Sequence, residues 1–145
     1  MSHVTRKELS LAIAQLMPRI IQGVQLEFLV KRTLTQTQFL VLVAIHSRGS
    51  CPMSILAKSM RVSMPTMSGI VDRLVKRGDV HRVESEHDRR KVMVELSHQG
   101  KEMIKQFQAA VSHRWAEVLT TLEQRDIEAF YGVISKLTHH LKGKQ

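Results

Sequence analysis

The sequence predicts a mainly α fold with one small β ribbon, and three features carry that expectation. Apolar residues recur at the three- and four-residue steps of a helical face through most of the 145 residues. Between residues 80 and 96 the period changes to two, around the polar loop ESEHDRRK. Residues that cap or stop helices stand at the junctions, which separates the helical stretches into distinct elements. At this length one core and one domain, residues 1–145, are expected.

Leu9, Ile13, Leu16, Ile20 and Val24 line one face of a long first helix reaching Val30. A bend or break is expected at Pro18, which removes a backbone hydrogen bond and crowds the carbonyl four residues earlier. Thr35 followed by Gln38 has the form of a capping box, and Phe39, Leu42, Val43 and Ile45 supply the inner face of a second helix ending near Arg48 and Gly49. Cys51 precedes Pro52 and is expected to be extended. Ser54 is expected to cap a short third helix holding Ile55, Leu56, Ala57 and Met60. After the turn at 61–63, Ser63 caps a fourth helix, Met64 to Arg77, with Pro65 in its first turn and Gly78 as its stop. Its inner face is Met67, Ile70, Val71, Leu74 and Val75.

Val80 and Val83 precede the polar loop, while Val92, Val94 and Leu96 alternate after it, as in a half-buried strand. Ser97 can cap a fifth helix reaching about Thr121, with Ile104, Phe107, Val111 and Val118 on one side. The last helix carries Ile127, Phe130, Ile134, Leu137 and Leu141 at a 3-4-3-4 spacing of the coiled-coil type. That seam either folds back on the fifth helix or meets a partner.

The fourth helix leaves Pro65, Thr66, Ser68, Gly69, Asp72, Arg73 and Lys76 for its outer side, small residues leading and cations following. A small, uncharged leading end can approach base edges in a major groove. It carries no Asn, Gln or Arg there, so more of any sequence preference falls on shape and on thymine methyls. The ribbon tip carries Arg89, Arg90 and Lys91 beside Asp88. An arginine on such a tip suits a narrow minor groove, and a neighbouring carboxylate can orient its guanidinium. Two helices joined by a tight turn and followed by this ribbon make a winged helix-turn-helix lobe. The net charge of +9 fits a polyanion partner: residues 1–91 hold 15 Lys and Arg against 7 acids, and the rest hold 7 against 6. Aromatics at 4% argue against a base-stacking surface for single strands.

The residues Leu34, Thr35, Gln38 and Phe39 in LTQTQF, Leu56 and Ala57 before the turn, Ser63, Thr66 and the run VDRLVKRG, Asp88-x-Arg90, and LSHQG at 96–100 resemble the MarR family of bacterial winged helix-turn-helix regulators. The resemblance spans nearly the whole chain. It implies a homodimer on palindromic operator DNA, often released by a small ligand, and a small extra strand at Cys51 and Pro52 beside the ribbon. It divides the chain into a DNA-binding lobe, residues 34–97, and dimerisation helices, 1–33 and 98–145, with Leu9, Ile13, Ile127, Phe130, Ile134, Leu137 and Leu141 at the dimer interface. The expected partners are double-stranded DNA, a second copy and a small-molecule effector. The expected DNA-contacting residues are Ser63, Pro65, Thr66, Ser68, Gly69, Arg73, Lys76, Asp88, Arg89, Arg90 and Lys91.

No phosphate-binding glycine loop, dinucleotide fingerprint, paired zinc cysteines or HExxH stands in the sequence, so no enzyme, cofactor or metal is called for. No apolar run approaches the ~20 residues of a membrane span, the N-terminus lacks a signal-peptide core, and a single cysteine fits a reducing cytoplasm. Cys51 reads as a small buried hydrophobe, or as a redox trigger if Arg48 and Lys58 stabilise its thiolate. His81 and His87 are expected on the exposed ribbon, and the eight methionines mostly in the core. Two other functions fit the same residues: a winged-helix protein-interaction module without an operator, and a metal-dependent sensor whose ligands converge in the fold.

Overall fold

Side-chain caps start four of the six described helices in the computed structural model, which describes residues 3–143. Among the described residues the order is α1 Arg6–Arg32, α2 Gln36–Arg48, β1 Cys51–Pro52, α3 Met53–Met60, α4 Met64–Arg77, β2 Val80–Glu84, β3 Val92–Leu96, α5 His98–Leu119 and α6 Gln124–Lys142. Thr5 and Glu8 close a reciprocal box at the start of α1, and the Thr5 N–H holds the Glu8 carboxyl below its usual range. Thr35 and Gln38 do the same for α2, with bonds of 3.0 and 3.1 Å. Ser63 and Ser97 cap α4 and α5 by accepting the N–H groups of Thr66 at 3.2 Å and Gly100 at 3.0 Å.

Several expectations need correction. α1 runs unbroken through Pro18, which excludes a division of the helix there. The proline leaves only the Ala14 carbonyl without its helical partner, and residues 14–19 are exposed, so water can take that bond. The inner face of α2 is Gln38, Phe39, Val41, Leu42 and Ile45, as expected for Phe39, Leu42 and Ile45, but Val43 is exposed. α3 starts one residue before Ser54, with Pro52 at its N-cap and no side-chain cap. Pairing of Cys51 with Val94 and Pro52 with Met93 holds the chain extended up to that point, so the helix begins where the strand ends. Met53, Leu56 and Ala57 then face inward, and Ile55 is exposed. On α4 the buried stripe narrows to Met67, Val71 and Leu74; Ile70 is half-buried and Val75, on the flank, is exposed. α5 ends at Leu119, and its deepest residues are Met103 and Ile104.

The three strands form an antiparallel sheet in the order β1-β3-β2. Val80 pairs with Leu96 and Arg82 with Val94, which puts Val80, Val94 and Leu96 on the core side. Val83 has the opposite parity and pairs with Met93 on the other face, half-buried. Val92, next to the loop, is beyond cover and exposed.

Leu42, Ile45, Leu56, Met67, Val71, Leu74 and Val94 make the centre of the core, between α2, α3, α4 and the sheet. Phe28, Phe39 and Phe107 join α1, α2 and α5 edge to face, with ring centroids 4.7 to 6.1 Å apart. Three of the four phenylalanines thus hold α1 and α5 against α2.

A polar joint fixes the far end of α4. The Asp79 side chain is fully buried, yet Arg77 Nε donates to its Oδ2 at 2.8 Å and Gln99 Nε2 to its Oδ1 at 3.0 Å. The Arg77 guanidinium also donates to the Arg32 carbonyl at 3.0 Å and the Thr33 carbonyl at 3.3 Å. Arg77 therefore ties the end of α4 to the end of α1, and Asp79 ties it to the start of α5. No single helix among the described residues is long and apolar enough to cross a membrane.

Candidate nucleic-acid interface

α3, the turn 61–63 and α4 form a helix-turn-helix, and the β2–β3 ribbon stands beside it as a wing. Burial of Met67, Val71 and Leu74 decides which side of α4 remains for solvent. Pro65, Thr66, Gly69, Arg73 and Lys76 are exposed on that side, and Ser68 is half-buried. Ser63 is engaged in capping, and its hydroxyl also donates to Thr66 Oγ1 at 2.9 Å. A Cβ at Gly69 would meet nothing within 4 Å, so the chain's own packing does not require a glycine there. The bare position leaves room for close approach from outside.

The wing is held at both ends. At its base, Arg82 on β2 pairs with Asp72 on the outer side of α4, which links the ribbon to the helix. At its tip, the Ser85 hydroxyl accepts the N–H groups of His87 at 3.4 Å and Asp88 at 3.3 Å. The Asp88 carboxylate accepts the Arg90 backbone N–H at 3.0 Å. This corrects the expected role of Asp88: it shapes the loop through the backbone of Arg90 and does not clamp the guanidinium. A carboxylate two residues upstream reaches a backbone N–H more readily than a long side chain, which costs rotamer freedom to hold. Arg89, Arg90 and Lys91 are exposed, and among the described residues their charged groups make no ion pair. The tip is therefore a preformed loop with three uncommitted cations.

The expected interface residues on the long helices are mostly exposed in the single chain: Leu9 and Ile13 on α1, and Phe130, Ile134, Leu137 and Leu141 on α6, with Ile127 half-buried. α6 has no buried residue and meets α5 at Trp115 and Phe130, whose rings lie 6.2 Å apart. Of its seam, Phe130 leans on α5, while Ile134, Leu137 and Leu141 stay exposed.

Between α1 and α5 a groove of about 330 Å3 is lined by Val24, Glu27, Phe28, Lys31, Ala110, His113, Arg114 and Glu117. Its rim is charge-paired. Lys31 donates to Glu27 at 2.6 Å and holds that carboxyl below its usual range, and Arg114 donates to Glu117 at 2.9 Å.

Cys51 is buried, and burial pushes its thiol pKa up against a weaker opposing pull from Arg48. The thiolate that a redox trigger needs is thus disfavoured, and the cysteine acts as a core residue. His81 and His87 are exposed as expected, with His81 Nε2 3.5 Å from Glu95 across the ribbon. Of the methionines expected mostly in the core only Met53, Met67 and Met103 are buried; Met60 and Met93 are half-buried, and Met17 and Met64 are exposed. Among the described residues no three His, Cys, Asp or Glu side chains are grouped to hold a metal ion.

The sequence misses Arg77, Asp79, Arg82 and Gln99, whose partners are distant in sequence or, for Asp79, hidden in what reads as an ordinary turn. A carboxylate directly after the helix-stopping Gly78 is the one signal that was present.

The geometry defines a winged helix-turn-helix protein. The MarR family model matches residues 34–92, the helix-turn-helix and most of the wing. The uncharacterized HTH-type transcriptional regulator YfiV of Bacillus subtilis is 30% identical over 112 residues, which cover 77% of this chain and 70% of that protein. The structure is similar to that of a transcriptional regulator from Thermotoga maritima, with a TM-score of 0.83 at 17% identity, over 96% of this chain and 97% of that one. It is also similar to a mutant MepR of S. aureus bound to an oligodeoxyribonucleotide, with a TM-score of 0.66 at 17% identity, over 96% and 99% of the two chains. At such identities these two likenesses speak for the fold alone. The chain belongs to the MarR family, and it is a transcriptional regulator with a DNA-binding winged-helix fold.

Proposed function

We propose that the protein is a sequence-specific repressor that binds a palindromic operator in double-stranded DNA as a homodimer, in the cytoplasm, and releases it in response to a small ligand. The observation that carries this is the pairing of a bare-sided α4 with a wing tied to it by Arg82 and Asp72, whose tip cations are uncommitted. α4 enters the major groove with Pro65, Thr66, Ser68 and Gly69 nearest the bases and Ser63 at their leading edge. Arg73 and Lys76 contact phosphates or a base edge at the margin of the site. Arg90 enters the minor groove on the loop that Asp88 shapes, flanked by Arg89 and Lys91 on the backbone. The MepR complex with an oligodeoxyribonucleotide supports the placement by analogy of fold.

Residues 34–97 act as the DNA-binding lobe, and 1–33 and 98–145 as the dimerisation helices. The exposed seam of α6, with Leu9 and Ile13 of α1, meets a second copy, which sets two heads about one helical turn of DNA apart. The groove between α1 and α5 lies where those helices meet the small lobe, and it has the volume of a small-ligand site. A ligand there lowers DNA affinity only if it prefers a head spacing that DNA disfavours.

Arg90→Ala is expected to weaken binding to a selected operator by roughly 5- to 150-fold, the loss of about 1 to 3 kcal/mol for one groove contact. The thermal midpoint should not move, since the side chain is exposed and makes no ion pair among the described residues. Fluorescence anisotropy and thermal melting measure both. Full affinity in the variant would remove the wing from the mechanism.

A further inference from the structure

α3 ends in a Schellman turn. The Val62 N–H donates to the Ala57 carbonyl at 3.0 Å, and the Arg61 N–H to the Lys58 carbonyl at 3.2 Å. This closure places Arg61 at φ 54°, ψ 42°, in the left-handed region that glycine adopts freely and arginine only under strain. Among the described residues the only other non-glycine with positive φ is Thr33. Thr33 has a structural use, because its carbonyl and hydroxyl both accept from Arg77 at 3.3 Å. The Arg61 side chain has none that the described residues reveal: it is exposed and makes no hydrogen bond or salt bridge among them. A glycine would serve this turn better.

What arginine adds is a cation in the turn of the helix-turn-helix, two residues before the Ser63 cap of α4. The first N–H groups of α4 favour a phosphate at the same end of the helix. Strained residues that the surrounding fold does not need are found most often where a ligand does.

We propose that Arg61 is a DNA-backbone contact of each reading head, a guanidinium that holds the phosphate flanking the leading end of α4. This rests on the DNA-binding function proposed above. The contact carries no base information, so it fixes register and approach for α4 on any sequence.

The test compares the wild type, Arg61→Gly, Arg61→Asn and the charge-matched Lys136→Gln on α6. Each is titrated onto the selected operator and a scrambled duplex across a salt series, and melted without DNA. Both Arg61 variants are expected to bind both duplexes roughly 10-fold more weakly, with the slope of log K against log salt shallower by about 0.9 per head. Arg61→Gly should melt at the wild-type midpoint or about 2 to 4 °C above it, because the left-handed strain is relieved. Lys136→Gln should change nothing. Wild-type affinity and slope in the Arg61 variants would overturn the contact while leaving DNA binding intact. So would a matching loss in Lys136→Gln, which would make the effect one of net charge, or a lowered midpoint for Arg61→Gly, which would give Arg61 a structural role. Failure of the wild type to bind either duplex would overturn DNA binding, and the contact with it.

Discussion

Ile134→Glu with Leu137→Glu is expected to yield monomers and to weaken operator binding at least 100-fold. Both side chains are exposed in the single chain, so the change costs the chain's own fold little. Two carboxylates in a 3-4-3-4 seam, however, would have to be buried against a second copy without partners, which an apolar interface does not tolerate. Affinity falls steeply because a dimer holds its second head at high effective concentration once the first is bound, an advantage of about 100- to 10,000-fold that monomers lack. Sedimentation gives the mass, circular dichroism the fold and anisotropy the affinity. A double variant that remains dimeric would place the interface elsewhere. A monomeric one with full affinity would mean that a single head suffices.

Gly100→Ala should destabilise the fold by about 3 kcal/mol through overpacking against backbone. A Cβ at this position would stand 2.1 Å from the Asp79 carbonyl oxygen and 3.3 Å from Leu96 Cδ2. The carbonyl cannot retreat easily. It accepts the Ser97 N–H at 3.0 Å, and the Asp79 side chain is held by Arg77 and Gln99. Either α5 lifts off the sheet or the buried carboxylate loses a partner, and both are costly. At fixed protein concentration the midpoint should drop by roughly 6 to 12 °C. A drop under about 2 °C would show that α5 can slide away from Asp79 at little cost. DNA binding by any folded fraction at low temperature should survive, because Gly100 lies outside the reading surface.

What the sequence discloses follows the range of the forces involved. α4 is bounded correctly at both ends because Ser63, Pro65 and Gly78 act on their own neighbours. The N-cap of α3 is misplaced by two residues, Ser54 for Pro52, because its start is dictated by pairing of Cys51 and Pro52 with a strand some forty residues later. Val43 and Val75 read as inward from spacing alone, yet spacing gives the period of a helix and not its rotation. The rotation is set by what each helix packs against: α3, α5 and β3 for α2, and α3 and β2 for α4. The cations of the proposed reading surface are readable, being exposed and clustered. The bonds around them are not: Arg82 to Asp72 crosses from strand to helix, and Arg77 to Thr33 joins the end of α4 to the end of α1. The local bond from Asp88 to the Arg90 N–H could have been foreseen from the Asp-x-Arg spacing, which is that of an Asx turn.

The most direct test of the DNA-reading account is anisotropy of the wild-type protein on a palindromic duplex obtained by selection, against a scrambled duplex of equal length, over a salt series. Binding to the palindrome at least ~1000-fold tighter, with a steep salt dependence on both, is the expected result. Equal affinity for the two would contradict it and leave a basic surface that reads no operator, as an interaction module would.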